Sequence, residues 1–317
     1  MRSYRTDLPQ TMGGLFLTDS GLETTLVFKE GVDLPCFAAF TLLRTVDGRD
    51  RLQTYYERHI ELAREAGAGF VLESVTWRAN PDWGPQLGYS PEALAAANRE
   101  AIELLQELRD AHASPALPIV ISGNIGPRGD GYEPGNVMTA EEAEAYHSWQ
   151  VATLRDAGSD MISAFTINNV NEATGIVRAA RAAGMPVVIS FTVETDGRLP
   201  TGQPLGEAIE EVDAATDGHA AYFMINCAHP DQFADMLDSG AGWTQRLGGL
   251  RANASRCSHA ELDEAAELDD GNPVELGSQY AALLARFPNI RVVGGCCGTD
   301  HRHVAEIGAA LQPAKAA

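Results

Sequence analysis

Five cysteines are spread through this 317-residue sequence, and three fall where they could act together. Cys227 follows Asn226 at the end of an apolar run, and Cys296 and Cys297 stand side by side in Gly294-Gly295-Cys296-Cys297-Gly298-Thr299 at the end of another. Thiolates are soft ligands that select zinc among the common cytosolic metals, and three of them leave the fourth tetrahedral position open to a substrate. The glycines around the pair allow two adjacent residues to turn toward one ion. A free cysteine is otherwise usually a buried structural residue, which is the reading for Cys36 and Cys257, since neither has a partner at such a position. An odd number of cysteines in a long chain with no sign of export argues against a disulfide framework.

Something must bring the two motifs to one place. Short runs rich in Val, Ile, Leu and Phe alternate with longer amphipathic stretches from end to end, the rhythm of repeated βα units around a parallel sheet. The spacing predicts strands over Leu15–Thr18, Phe70–Val75, Pro118–Ser122, Met161–Phe165, Pro186–Thr192, Ala221–Asn226, Arg246–Arg251 and Ile290–Val293. It predicts helices over Asp50–Ala66, Pro91–Ala111, Thr139–Ala157, Val170–Ala183 and Pro273–Arg286. Ser90-Pro91 reads as an N-cap with proline at the first helical position, and Gly67, Gly158 and Gly184 read as C-caps. Eight such units in series predict a single (β/α)8 barrel spanning residues 1–317, rather than an open doubly wound sheet. The segments Asn80–Tyr89, Gly126–Val137, Glu194–Gly206 and Ala252–Asn272 then become loops at the barrel's C-terminal mouth, where barrels carry their active sites.

Composition narrows the partners. A net charge of −21 without a basic stripe excludes nucleic acid and anionic membranes as partners. No apolar stretch is long enough to span a membrane, and Met1-Arg2-Ser3-Tyr4 lacks the apolar run of a secretory signal, so the expected location is the cytoplasm. Small-molecule substrates are the expected partners, with a homo-oligomer open.

Three further motifs join the cysteines: Thr18-Asp19-Ser20-Gly21-Leu22, Gly123-Asn124-Ile125-Gly126-Pro127 and Asn253 beyond the seventh strand. With Asn226-Cys227 and the Gly-Gly-Cys-Cys-Gly run, they resemble the homocysteine S-methyltransferase family over nearly the whole chain. The resemblance implies that Cys227, Cys296 and Cys297 hold zinc and that the open position takes the thiol of homocysteine. It also implies that Asp19 lies near the acceptor, and that Asn226 and Asn253 help to form its site. A free thiol with a pKa of about 8.5 is mostly protonated at neutral pH, and coordination removes that proton so the sulfur can attack an activated methyl group.

The chain departs from the family at Phe165, where a Glu that helps to hold the amino group of homocysteine is common. Glu73 and Glu194, near the ends of predicted strands, are candidates to replace that charge, although each could equally be a solvated loop carboxylate. Trp77, Trp83, Tyr89 and Tyr132 fall in the mouth loops and could bind a methylated cation through their ring faces, or simply pack the loops. His229, His301 and His303 read as solvent-exposed residues at helix starts.

The expected activity is zinc-dependent methyl transfer from a small sulfonium or quaternary ammonium donor to homocysteine, giving methionine, with no folate or cobalamin module. Two alternatives stay open: methyl transfer to a different thiol, and a zinc- or thiol-binding barrel with altered catalysis. A lyase or aldolase is disfavoured because no lysine stands at a strand end.

Overall fold

The computed structural model describes residues 4–237, 240–265 and 267–312. Residues 1–3, part of the stretch read as lacking a secretory signal, lie outside these. Eight parallel strands close into a barrel in chain order: β1 (Phe16–Leu17), β2 (Gly69–Glu73), β3 (Ile119–Ile125), β4 (Met161–Ile167), β5 (Val187–Thr192), β6 (Tyr222–Asn226), β7 (Leu247–Ala252) and β8 (Val292–Gly295). A helix follows each strand: α1 (Val46–Ala66), α2 (Pro91–His112), α3 (Ala140–Ala157), α4 (Val170–Ala182), α5 (Leu205–Thr216), α6 (Pro230–Leu237), α7 (Pro273–Arg286) and α8 (His301–Leu311). The fold is a (β/α)8 barrel, and all eight expected strands overlap observed ones.

The end signals act as their chemistry requires. The Ser90 hydroxyl accepts from the Ala93 amide at the start of α2, and Thr139 forms a capping box with Glu142 at the start of α3. Gly67 and Gly158 close α1 and α3 in the left-handed conformation. Gly184 is also left-handed but stands one residue beyond the C-cap of α4, which is Ala183.

Inward-facing side chains change character along the barrel axis. Phe16, Val71, Val120, Met161, Val188, Tyr222 and Val292 form an apolar cluster separate from the larger layer between sheet and helices. Two residues further along β2 to β5, and four further along β6, the inward positions become polar: Glu73, Ser122, Ser163, Ser190 and Asn226 are all buried and hydrogen-bonded to one another in pairs. The register sets Asn226 beside Arg251 and Arg251 beside Gly294, so the ends of β6, β7 and β8 share one edge. No helix among the described residues is long and apolar enough to cross a membrane.

Candidate metal centre

The residues that end β6 and β8 open onto a chamber of about 500 Å3 bordered by Cys227, Cys296, Cys297, Asn226, Asn253, Phe165 and Trp77. The three Sγ atoms lie within 4.8 Å of one another. Zinc–sulfur bonds of about 2.3 Å in a tetrahedron set sulfurs roughly 3.8 Å apart, so this donor set fits zinc. The sulfurs of Cys227 and Cys296 are in contact, with Cα atoms 5.4 Å apart, close enough to pair as a disulfide on oxidation, a pairing not expected from the sequence. Metal binding through all three sulfurs therefore requires the reduced protein.

The backbone is bent to make this meeting possible. Cys227 (φ 54°) and Thr166 (φ 61°) are left-handed, an unusual state for any residue with a Cβ and more so for a β-branched one. A Cβ at Gly294 would stand 2.0 Å from the Thr18 hydroxyl and 2.7 Å from the Asp19 carbonyl, so only glycine lets β8 pass the end of β1.

Asn226 locks the strained pair. Its Nδ2 donates to Thr166 Oγ1 (3.0 Å) and to Cys227 Sγ (3.2 Å), while its Oδ1 accepts from the Thr166 amide (3.0 Å) and the Ser190 hydroxyl (2.7 Å). Burial pushes the Cys297 thiol up to about 11, with the nearby Glu23 charge adding to the effect, and the Tyr132 hydroxyl hydrogen-bonds it. His259 stacks on Tyr132 with ring centres 3.9 Å apart and bonds the Cys227 carbonyl through Nε2 at 2.6 Å.

The three expected carboxylates do not border the chamber. Asp19 is buried and ion-paired with Arg251 at 2.7 Å. Glu73 lies inside the barrel, where its Oε1 accepts from Ser163 at 3.2 Å and its Oε2 has no hydrogen-bond partner among the described residues. Burial raises Glu73 to about 7, opposed by the charge of Arg251. Glu194 lies 3.4 Å from His259 Nδ1 and is partly exposed. Glu23, Asp130, Glu267 and Asp269 do border the chamber, and Glu23, on the turn after β1, is the one whose charge acts on Cys297; burial raises it to about 7.

Arg251 and Glu23 were not singled out in the sequence, yet signals for both existed. Arg251 is a charged residue at the end of a buried strand, and Glu23 stands four positions after Asp19. Arg251 also covers the ring of Phe165, with Cζ 4.9 Å from its centre.

The aromatic faces are partly taken. The Arg78 guanidinium lies over Trp77 and Trp83, with Cζ 4.5 and 3.8 Å from the ring centres. Tyr89 packs against Phe40 and Arg44 and does not border the chamber, whereas Phe28 and Phe37 do. Cys36 and Cys257, expected as buried, are exposed, Cys36 in a single 3-10 turn (Pro35–Phe37) and Cys257 in the loop after β7, and Cys36 borders the chamber. His229 and His303, expected in solvent, are buried. His303 bonds the Asp300 amide and the Asp270 carbonyl, which holds it under the start of α8.

The family model described as homocysteine S-methyltransferase matches residues 16–311. Homocysteine S-methyltransferase 4 of Zea mays is 25% identical, over 96% of this chain and 91% of its own. Selenocysteine Se-methyltransferase of Brassica oleracea var. italica is 26% identical, over 92% and 88%. The metallated crystal form of the Escherichia coli homocysteine methyltransferase MmuM superposes with a TM-score of 0.72 at 20% identity, over 94% of this chain and 96% of that one. An oxidized form of the same enzyme gives the same TM-score.

Proposed function

Because the chain belongs to the homocysteine S-methyltransferase family and is thus a methyltransferase, we propose that it moves a methyl group from a small sulfonium or quaternary ammonium donor to the thiol of homocysteine, giving methionine. The observation that carries this reading is the meeting of three thiols from two strand ends in one open chamber. Cys227, Cys296 and Cys297 would hold zinc. When bound there, zinc supplies an open fourth position that takes the acceptor sulfur as a thiolate.

The surrounding residues do the positioning. Asn226 fixes Cys227 through its sulfur and through the neighbouring Thr166 backbone. Tyr132 and His259 cover Cys297 and the Cys227 carbonyl from the opposite loops. Phe28 and Phe37 offer aromatic faces at the rim for a methylated cation. The relatives named for homocysteine and for selenocysteine support an amino-acid acceptor.

The test is methionine formation by the reduced, zinc-loaded chain with homocysteine and each of S-methylmethionine, betaine and methylfolate. S-Methylmethionine should be the best donor and betaine second. Methylfolate as best donor would sink the cationic-donor reading, and no product from any donor would sink transfer to homocysteine. Phe165 favours one second reading, transfer to another thiol, which the same assay detects when other thiols replace homocysteine.

A further inference from the structure

Two opposite charges face the chamber without neutralising each other. Among the described residues Glu23 makes no ion pair and no hydrogen bond to another residue's side chain, although it feels the charges of Asp19, Arg251 and Arg78. Arg78 borders the same space and, among the described residues, makes no ion pair. Its Nη1 donates to the Gly129 carbonyl at 3.2 Å, and its buried Nε has no partner. The other cation near the thiols, Arg251, is committed to Asp19, to the Gly295 carbonyl and to the Ser20 carbonyl. A half-buried carboxylate and a half-buried guanidinium left unpaired are costly unless a ligand completes them.

From this geometry we infer that Glu23 and Arg78 form the head-group site for the acceptor, Glu23 taking an α-ammonium and Arg78 an α-carboxylate. The assignment rests on the methyl-transfer reading above and names the chemistry its acceptor must carry: a thiol on a zwitterionic α-amino acid.

The position of Glu23 ties it to the acceptor rather than to the donor. Thr24, its neighbour, accepts from the Gly298 amide at 3.1 Å, and a Cβ on Gly21 would stand 2.5 Å from the Cys296 carbonyl. The turn carrying Glu23 is thus packed directly on the loop carrying two of the thiols. An ammonium two methylene groups and one carbon from a sulfur among those thiols falls on this side. With Phe165 in the place where a Glu is common in the family, Asp19 held by Arg251, Asp130 and Asp269 accepting from their own loops and Glu267 exposed, Glu23 is the chamber carboxylate left, among the described residues, to meet it. Arg78 supplies the opposite pole, its guanidinium held flat by Trp77 and Trp83 and with donors to spare.

The experiment measures binding by calorimetry and KM by initial rates, using the reduced, zinc-loaded chain and three thiols. These are L-homocysteine, 4-sulfanylbutanoic acid, which lacks the amine, and 3-sulfanylpropan-1-amine, which lacks the carboxylate. A charge-assisted contact gives about tenfold in affinity or more. Glu23→Gln should weaken homocysteine by about that factor and leave 4-sulfanylbutanoic acid within about twofold. Arg78→Gln should weaken homocysteine and 4-sulfanylbutanoic acid and spare 3-sulfanylpropan-1-amine. Glu23→Asp, which keeps the charge on a shorter arm, should retain the preference for the amine and provides the reading if Glu23→Gln folds poorly.

Equal weakening of homocysteine and 4-sulfanylbutanoic acid by Glu23→Gln overturns the assignment, as does a change confined to the donor KM. A wild-type chain that prefers the thiol without an amine overturns it too. If wild type methylates thiols while Glu23 proves indifferent to the amine, only this assignment falls. If wild type neither binds nor methylates any of the three, the methyl-transfer reading falls, and this assignment with it.

Discussion

Arg251 Nη2 stands 2.7 Å from Asp19 Oδ1, and both side chains are less than a tenth exposed. Burial opposes the charge on Arg251, but Asp19 and Glu73 together hold its pKa above the ordinary value. The same guanidinium bonds the carbonyls of Gly295 and Ser20, so one residue of β7 ties together the chain leaving β8 and the chain leaving β1.

Arg251→Met should therefore be strongly destabilising. It keeps much of the volume but leaves Asp19 buried without its partner, and breaking a buried pair from one side costs about 3–5 kcal/mol. Denaturant unfolding of the two proteins measures the difference. A loss below about 1 kcal/mol, the range of an exposed pair, would show that Asp19 has another source of compensation.

Glu73 makes stability depend on pH in the direction opposite to a salt-bridged carboxylate. Its folded pKa of about 7 lies above the ordinary 4.5, so the fold favours the protonated form. Stability from this group is full below pH 4.5 and is lost as pH rises toward 7. Glu73→Gln keeps the neutral shape at every pH, so its advantage over wild type should open across that window, to roughly 3 kcal/mol at about 1.36 kcal/mol per pKa unit. Unfolding curves at both ends of the window decide it, and a constant gap between the two proteins would contradict the burial argument.

Asn226→Ala should lower zinc affinity without removing a ligand. The side chain bonds Cys227 Sγ and holds the left-handed Thr166 beside it, and loss of such outer contacts typically costs about 10–100-fold in metal affinity. Cys297→Ser, by contrast, should abolish most binding while circular dichroism stays that of a folded barrel. Competition with a chromophoric chelator, using reduced protein, gives both constants. Equal affinity in Asn226→Ala and wild type would mean that the asparagine serves the backbone alone.

Repetition made the barrel legible. Eight apolar runs separated by amphipathic stretches leave few other topologies, and caps such as Ser90 and Thr139 mark helix starts through local chemistry. The thiols were legible for the same reason, because adjacent cysteines between glycines at a strand end are rare. The carboxylates were not. Asp19, Glu73 and Glu23 all lie at the end of a strand or in the turn after one, and sequence position alone does not say which points into the barrel, which meets an arginine and which faces the opening. Arg251 decided that, and its partner Asp19 lies on the far side of the barrel seam. Aromatic residues were misleading for a related reason: a tryptophan in a mouth loop offers a face, but Arg78 had already taken two of them.

The thiols come from β6 and from the chain leaving β8, the strand whose pairing with both β7 and β1 completes the ring. An ion held by all three would act as a clasp over β7, fastening the end of β6 to the chain leaving β8. It would bind only while β6, β7 and β8 stay packed side by side, so its binding free energy would add to the stability of that wall. Amide hydrogens at the β6–β7 and β7–β8 pairings should then exchange more slowly when the clasp is fastened, while those of β2 and β3, on the opposite wall, should hardly notice.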